Sequence, residues 1–358
     1  MLWFLKNQKG LKIVQTKINF TTLRNYIFLG IRGLICYTLY IYRFYPKLKL
    51  AKFINNKQIV DIKIDKINFK IMVDLKDEGL SYDLYIGRVR EYPNVLYFKK
   101  FLKEYSKQID TIVEIGANIG YYVLYENAIF KQALKKKVSI FAVEPVVESL
   151  SLLKENIKLN NVSDIKLINA AIGDKNKKVN IVVPPQRNYT QIEGISGNDR
   201  YASNSEKRTI ETYSLKGLFS QYKIPQKNLL FRWDIEGYEY NLVKNNYEMF
   251  EKLQNVHIVM EFHSFFLREK KTIEFLSLLK KLGFKLQYVV SCYPPYFLRM
   301  PNFIKRALIK MWLIEHNGTN LGILPEFESI DDLIKEFQNT DSALYNYTNL
   351  HFYLVKAD

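Results

Sequence analysis

The chain has 358 residues, 48% hydrophobic and 25% charged, an ordinary globular composition that excludes a disordered or collagen-like protein and allows a full-sized core. Its length suits one large domain with additions, or two domains. Lysines and arginines number 53 against 36 aspartates and glutamates, a net charge of +17, while only two cysteines, Cys36 and Cys292, exclude a disulfide framework or a cysteine-based zinc site and fit a reducing, intracellular compartment.

The positive charge is concentrated at the start of the chain. Residues 1–60 hold eleven lysines and arginines and no acid. A basic balance raises nucleic acid as a partner. Here the charge lies in a strongly apolar segment, which favours an anionic lipid surface instead. Residues 26–45 match the ~20 residues of a bilayer span, but Arg32 inside the run would cost about 2.5–3.5 kcal/mol at the bilayer centre. Asn25, Arg32 and Arg43 share one helical face. Tyr26, Tyr37, Tyr40, Tyr42 and Tyr45 suit a membrane interface. A helix lying on the membrane, a true span and a helix docked on the domain all remain open. The run lacks a small-residue cleavage site, so it does not read as a secretory signal. Residues 1–58 are thus expected as a basic apolar segment ahead of a domain over 59–358.

Alternation over 59–74 predicts a strand or hairpin, and 95–106 a helix. A regular rhythm then begins. Strands are expected at 111–116, 138–145, 165–173, 228–237 and 256–263, with helices at 120–133, 147–159, 238–246 and 270–282. Residues 178–183 and 208–215 add strands around a polar loop, 186–206, which is a candidate lid. Residues 286–291 and 351–356 close the pattern. Residues 292–350 between them are too long for a hairpin turn and read as a helical insertion, since 301–314 is basic and amphipathic. Strand–helix alternation implies an α/β fold with a doubly wound, mainly parallel sheet.

The sharpest local signal runs from Glu114 to Gly120, with Gly116, Asn118 and Gly120 between a strand and a helix. Glycines there let the backbone approach a ligand, and the helix start offers free N–H groups. The pattern is neither G-x-G-x-x-G nor a P-loop. Glu144, at the end of the next strand, can accept hydrogen bonds from ribose hydroxyls, as in other doubly wound folds. Asp234 and Glu236 share one side of an extended segment, and clustered like charges are costly unless something uses them. They can hold hydroxyls, take a proton or bind a metal; a structural alternative has Glu236 capping the next helix and Asp234 pairing with Arg232. His263 ends a strand and can accept a hydroxyl proton. Glu261 alternates onto the same face and can orient it.

EIGANIGYYVLY, VEP, NAAIGD, RWDIEGYEYNLVK and IVMEFH occur in one order and spacing, and the lead-in DEGLSYDLYIGRVREYP precedes them. Over roughly residues 60–290 the sequence resembles the FkbM family of S-adenosylmethionine-dependent methyltransferases. The resemblance implies a seven-stranded, Rossmann-like class I methyltransferase fold, with S-adenosylmethionine as cofactor and no metal. It places Glu114 near the methionine ammonium, Gly116, Asn118 and Gly120 around the methionine part, Glu144 on the ribose and Ala171 beside the adenine. Asp234, His263 and Glu236 would be catalytic, with Arg232 and Glu261 toward the substrate. The expected activity is O-methylation of a hydroxyl on a glycan or glycolipid, in the cytoplasm or at the cytoplasmic membrane face. A nucleic-acid methyltransferase and a non-catalytic membrane-binding module are the alternatives. Two positions depart from the family pattern: Thr212-Tyr213-Ser214 lacks an acid, and Arg232 stands where lysine is common.

Overall fold

The computed structural model describes residues 55–77, 79–194, 205–291, 327–339 and 350–356, with residues 53, 342 and 344 besides. The N-terminal segment to residue 52, the 301–314 helix expected in the insertion and the 195–204 portion of the candidate lid lie outside the described residues. No helix among the described residues is long and apolar enough to cross a membrane.

Alternation at 59–74 resolves into a hairpin, β1 (Lys57–Ile64) and β2 (Ile67–Asp74), paired antiparallel. Every second residue, Val60 to Val73, is buried, as a half-covered strand requires. Helices α1 (Leu80–Gly87) and α2 (Tyr92–Tyr105) follow; sequence periodicity marks the second and misses the first. The repeat that comes next is β3 (Thr111–Ile115), α3 (Tyr121–Ala128), β4 (Ser139–Val143), α4 (Val147–Leu159) and β5 (Ile165–Ile168). α3 runs on into a π-helical turn at Ile129–Leu134.

The expected strand at 165–173 divides. After Ile168 the chain leaves the main sheet, and β6 (Ala171–Ile172) joins a smaller sheet with β7 (Lys177–Val183), β8 (Gln191–Ile192) and β9 (Glu206–Tyr213), in the order β6-β9-β7-β8. Asn169 marks the break: its side-chain amide donates to the carbonyls of Glu144 and Pro145 at 3.0 and 3.1 Å, tying the turn to the end of β4.

The second half supplies α5 (Leu215–Tyr222), β10 (Lys227–Trp233), α6 (Glu239–Asn245), α7 (Tyr247–Lys252), β11 (Gln254–Phe262), α8 (Ser264–Lys281), β12 (Lys285–Ser291), α9 (Ile330–Gln338) and β13 (Leu350–Lys356). The main sheet has seven strands in the order β12-β13-β11-β10-β3-β4-β5. Only β13 runs antiparallel to its neighbours. One face packs on α2, α3 and the hairpin, the other on α5, α6, α7, α8 and α9. Both faces are therefore apolar, which explains the unbroken hydrophobic runs of β3, β4 and β10. Strand order reverses between β3 and β10, and in open α/β sheets ligands bind outside the carboxyl ends at such a switch point.

The hairpin also has a built-in partner. Asn156 of α4 takes the Met72 N–H at 2.5 Å and donates to the Met72 carbonyl at 3.1 Å, and Asn160 treats Lys70 the same way at 2.9 and 2.6 Å. Gln132 does the same for Asn68 at 3.1 and 2.7 Å, so three amides satisfy the free edge of β2, which would otherwise invite pairing with another chain.

Candidate active site

At the switch point the turn after β3 and the end of β10 meet. Gly116 has φ +84°, and a Cβ there would sit 2.2 Å from the Asp234 carbonyl oxygen, so only glycine permits this approach. The N–H groups of Gly116 and Ala117 both donate to the Val143 carbonyl at 3.0 Å, and the Asp234 N–H donates to Ile115 at 3.1 Å. The turn is thereby stapled between β4 and β10. Gly120, φ +89°, stands at its far side against Leu153 and away from the cleft wall.

A cleft of about 1090 Å³, including its mouth, opens above this turn. Of the residues singled out from sequence, Glu114, Gly116, Asn118, Glu144, Ala171, Arg232, Asp234 and Glu236 all line it. One end is largely apolar, with Ala170, Ala171, Ile172, Ile181 and Ile192. Glu144 borders that end. Its two carboxylate oxygens accept the N–H groups of Asn118 at 2.8 Å and Val146 at 2.9 Å. It therefore ties the glycine turn to the next loop while keeping lone pairs for a ligand. Burial pushes its carboxyl up to about 7, against the help of those two N–H donors.

The other end is crowded with charge. Glu114, expected beside an ammonium, is ion-paired instead with Arg232, its cross-strand neighbour, and is 1% exposed. The Arg232 guanidinium stacks 3.4 Å from the centre of the Tyr122 ring. Glu126 of α3 is buried behind this pair; burial and then the Glu114 charge raise its pKa well above the ordinary carboxylate range, so it is held as the neutral acid.

Asp234, Glu236 and Glu261 converge on His263. Its Nε2 lies 3.8 Å from Asp234 Oδ1, 3.7 Å from Glu236 Oε2 and 3.8 Å from Glu261 Oε1. Its Nδ1 meets Glu239 Oε1 at 2.7 Å. Glu239, in the first turn of α6, is therefore the residue that orients the ring; Glu261, expected in that role, faces the opposite nitrogen. His263 itself stands one layer behind the cleft wall, at 8% exposure. Burial disfavours a charged ring there, but Glu239 and Glu236 outweigh it and hold the pKa well above its usual value. The protonated ring is thereby favoured. The expected helix-capping role of Glu236 is absent: Glu236 has φ +47° and precedes the helix, and the Gly237 N–H is taken by Glu239 at 3.2 Å.

Several site residues escape sequence reasoning. Arg90 and Glu91, between α1 and α2, form an ion pair at 2.9 Å and line the cleft. Glu91 also accepts the Tyr122 hydroxyl at 2.6 Å, and His351 Nε2 lies 3.5 Å away. Burial opposes the charge of Glu91, yet Arg90 brings its carboxyl down to about 2. His351 opens β13 directly across from Glu261. The polar start of that closing strand was a readable signal, but its partner is ninety residues away. Among the described residues, the sets Asp234–Glu236–His263 and Glu91–Glu261–His351 each bring three ligand atoms within 4.8 Å, close enough for one cation. His257 is 1% exposed, packs against Phe101 and Tyr105, and is held neutral by burial, its pKa lowered to about 4.

Residues 114–286 match the methyltransferase FkbM domain. Among solved structures the chain is similar to a precorrin-6y C5,15-methyltransferase from Geobacter metallireducens, at 10% identity and TM-score 0.33 over 75% of this chain and 87% of that one. It is similar also to the plantazolicin methyltransferase BamL in complex with a triazolic analog and SAH, at 10% identity and TM-score 0.33 over 94% and 99% of the two chains. M. jannaschii TYW2 in complex with AdoMet gives 14% identity and TM-score 0.31 over 69% and 81%. Nothing among curated proteins matches the chain. It is the family match, and not these distant likenesses, that carries the assignment. The matched segment begins at the acid that opens the glycine turn and runs through every strand-end acid of the cleft; over residues 114–286 the chain matches the methyltransferase FkbM domain, and it is an S-adenosylmethionine-dependent methyltransferase.

Proposed function

We propose that the protein transfers a methyl group to a hydroxyl of a glycan or glycolipid, with Asp234 as the base. The observation that carries this reading is the convergence of Asp234, Glu236 and Glu261 on one histidine beside the glycine turn. Carboxylates clustered at a cleft mouth suit an acceptor with several hydroxyls, because each can take an O–H hydrogen bond. The family resemblance supports the sugar class.

The cofactor supplies a methyl group already activated on a sulfonium. Glu144 holds the ribose hydroxyls, the Gly116–Asn118 turn lets the backbone approach, and the apolar wall around Ala171 takes the adenine. The cradle fits such a ligand: Glu144, with lone pairs to spare, and the apolar residues Ala170, Ala171 and Ile172 line one cleft with the Gly116–Asn118 turn. What remains for the protein is alignment, exclusion of water and removal of one proton. Asp234 lines the cleft, with its Oδ1 buried toward His263 and without a hydrogen-bond donor among the described residues. It takes the acceptor proton. His263, oriented by Glu239, stands behind the wall and holds the neighbouring carboxylates in place; its raised pKa favours the protonated ring. Glu236, which lines the cleft, then binds acceptor hydroxyls.

Residues 1–58, with their eleven positive charges, hold the enzyme against an anionic membrane where lipid-linked acceptors lie. Methyl transfer to lipid-linked oligosaccharides, monitored with methyl-labelled cofactor and mass analysis of the product, tests the reading. A methyl ether on a sugar oxygen is expected. Methylation of RNA or DNA, or of an amine, would contradict it.

A further inference from the structure

We infer that Arg90 is the cation that binds the α-carboxylate of the cofactor's methionine part. The inference rests on the cofactor site described above and adds to it a residue that lies outside the family-matched segment.

The cofactor's amino-acid end is a zwitterion, so its pocket needs a cation for the carboxylate as well as acids for the ammonium. The cleft wall has acids in surplus beside the glycine turn: Glu91, Glu114, Asp234 and Glu236. Its arginines are Arg90, Arg187 and Arg232. Arg232 is engaged by Glu114 and by the Tyr122 ring, and is 5% exposed. Arg187 lies on the small-sheet side, bonded to Asp74 at 3.4 Å. Arg90 is different. Its Nε faces Glu91, its side chain is 20% exposed, and no described residue accepts a hydrogen bond from its two terminal nitrogens. A planar fork of free donors at a cleft wall matches a carboxylate.

Arg90 is also tied to the turn by its backbone. The Tyr121 hydroxyl, one residue past Gly120, contacts both the backbone N–H and the carbonyl of Arg90 at 3.3 Å. The next residue, Tyr122, holds Glu91 and stacks on Arg232. The first two residues of α3 thus anchor Arg90 to the loop that cradles the cofactor. The backbone around it is forced: Arg88 and Glu91 have φ of +64° and +51°. Such strain in residues with side chains persists only where the surroundings over-determine it. Here it directs Arg90 toward the cleft.

The test compares two ligands by calorimetry on the full chain: S-adenosylhomocysteine, which carries the amino-acid group, and 5′-methylthioadenosine, which lacks it. Arg90→Ala is expected to weaken S-adenosylhomocysteine about 10- to 100-fold, the size of a lost charge-assisted hydrogen-bond pair, and to leave 5′-methylthioadenosine unchanged. Arg90→Lys, which keeps the charge and loses the fork, should fall between. Retained 5′-methylthioadenosine binding is the control for folding. Equal weakening of both ligands would show that Arg90 only supports the fold and would overturn the inference. Unchanged binding of both would place Arg90 outside the cofactor contacts and overturn it equally. A wild-type protein that binds neither ligand would overturn the cofactor site itself, a distinct failure.

Discussion

The two ends of the cleft are built differently. The end around Glu144 is made from one stretch of chain: a strand, a glycine turn and the next strand, with backbone N–H groups as its main polar contacts. The end around His263 is made from side chains at the ends of β10 and β11, of α6 and of β13, all brought together by the sheet. The first is a rigid cradle that one short motif can encode. The second is an electrostatic balance among acids and a few cations, which no single segment contains. A cofactor suits the first, and an acceptor with several hydroxyls suits the second.

If the two ends are separable, single substitutions must separate binding from chemistry. The largest effect is expected at Asp234. Asp234→Asn should lower kcat by about 10²–10⁴, the usual worth of a positioned base, while calorimetry finds cofactor affinity within about threefold of wild type. A parallel loss of cofactor binding would break the distinction. Glu144→Ala should do the converse and raise the cofactor Kd at least about 100-fold, since each hydrogen bond to a charged group is worth about 1.5–3 kcal/mol. Gly116→Ala is the one change that should damage both ends, because its Cβ would press on the Asp234 carbonyl. A stability loss of about 1–3 kcal/mol by thermal melting, together with weaker binding and lower kcat, is expected.

Smaller effects sharpen the electrostatic contrast. Glu239→Gln removes the anion on His263 Nδ1, so the ring should lose its extra proton at lower pH than in wild type, as read by histidine NMR. An unmoved titration would show that Glu239 does not charge the ring. The smallest effect concerns stability. Glu144 has a folded pKa of about 7 against 4.5 for the ordinary group. The unfolded chain thus releases this proton first, and stability falls as pH rises from about 4.5 to about 7. Glu144→Gln should make that decline shallower in cofactor-free protein.

The same contrast explains what the sequence discloses. Strand–helix alternation and the glycine turn are local, so the sheet, the hairpin and the residues from Glu114 to Glu144 are legible from periodicity and spacing. The break at Asn169 is not, because the 165–173 run stays apolar across it and only the amide's bonds to Glu144 and Pro145 divert the chain. Asp234 and Glu236 are visible as paired acids, but their partners are not. Glu239 appears in sequence as one more helix acid, and His351 as the polar start of a closing strand. Arg90 sits in a turn whose φ values no propensity predicts. Each acquires its role only when remote segments meet, and the charge of His263 depends on all of them together.

The most direct test of a cofactor cradle separable from the catalytic acids is a calorimetric titration of the full chain with S-adenosylmethionine, repeated with Glu144→Ala and Asp234→Asn. Binding by wild type in the micromolar range, lost in Glu144→Ala and retained in Asp234→Asn, is the predicted result. Absence of binding by the wild type, or equal loss in both variants, would contradict it.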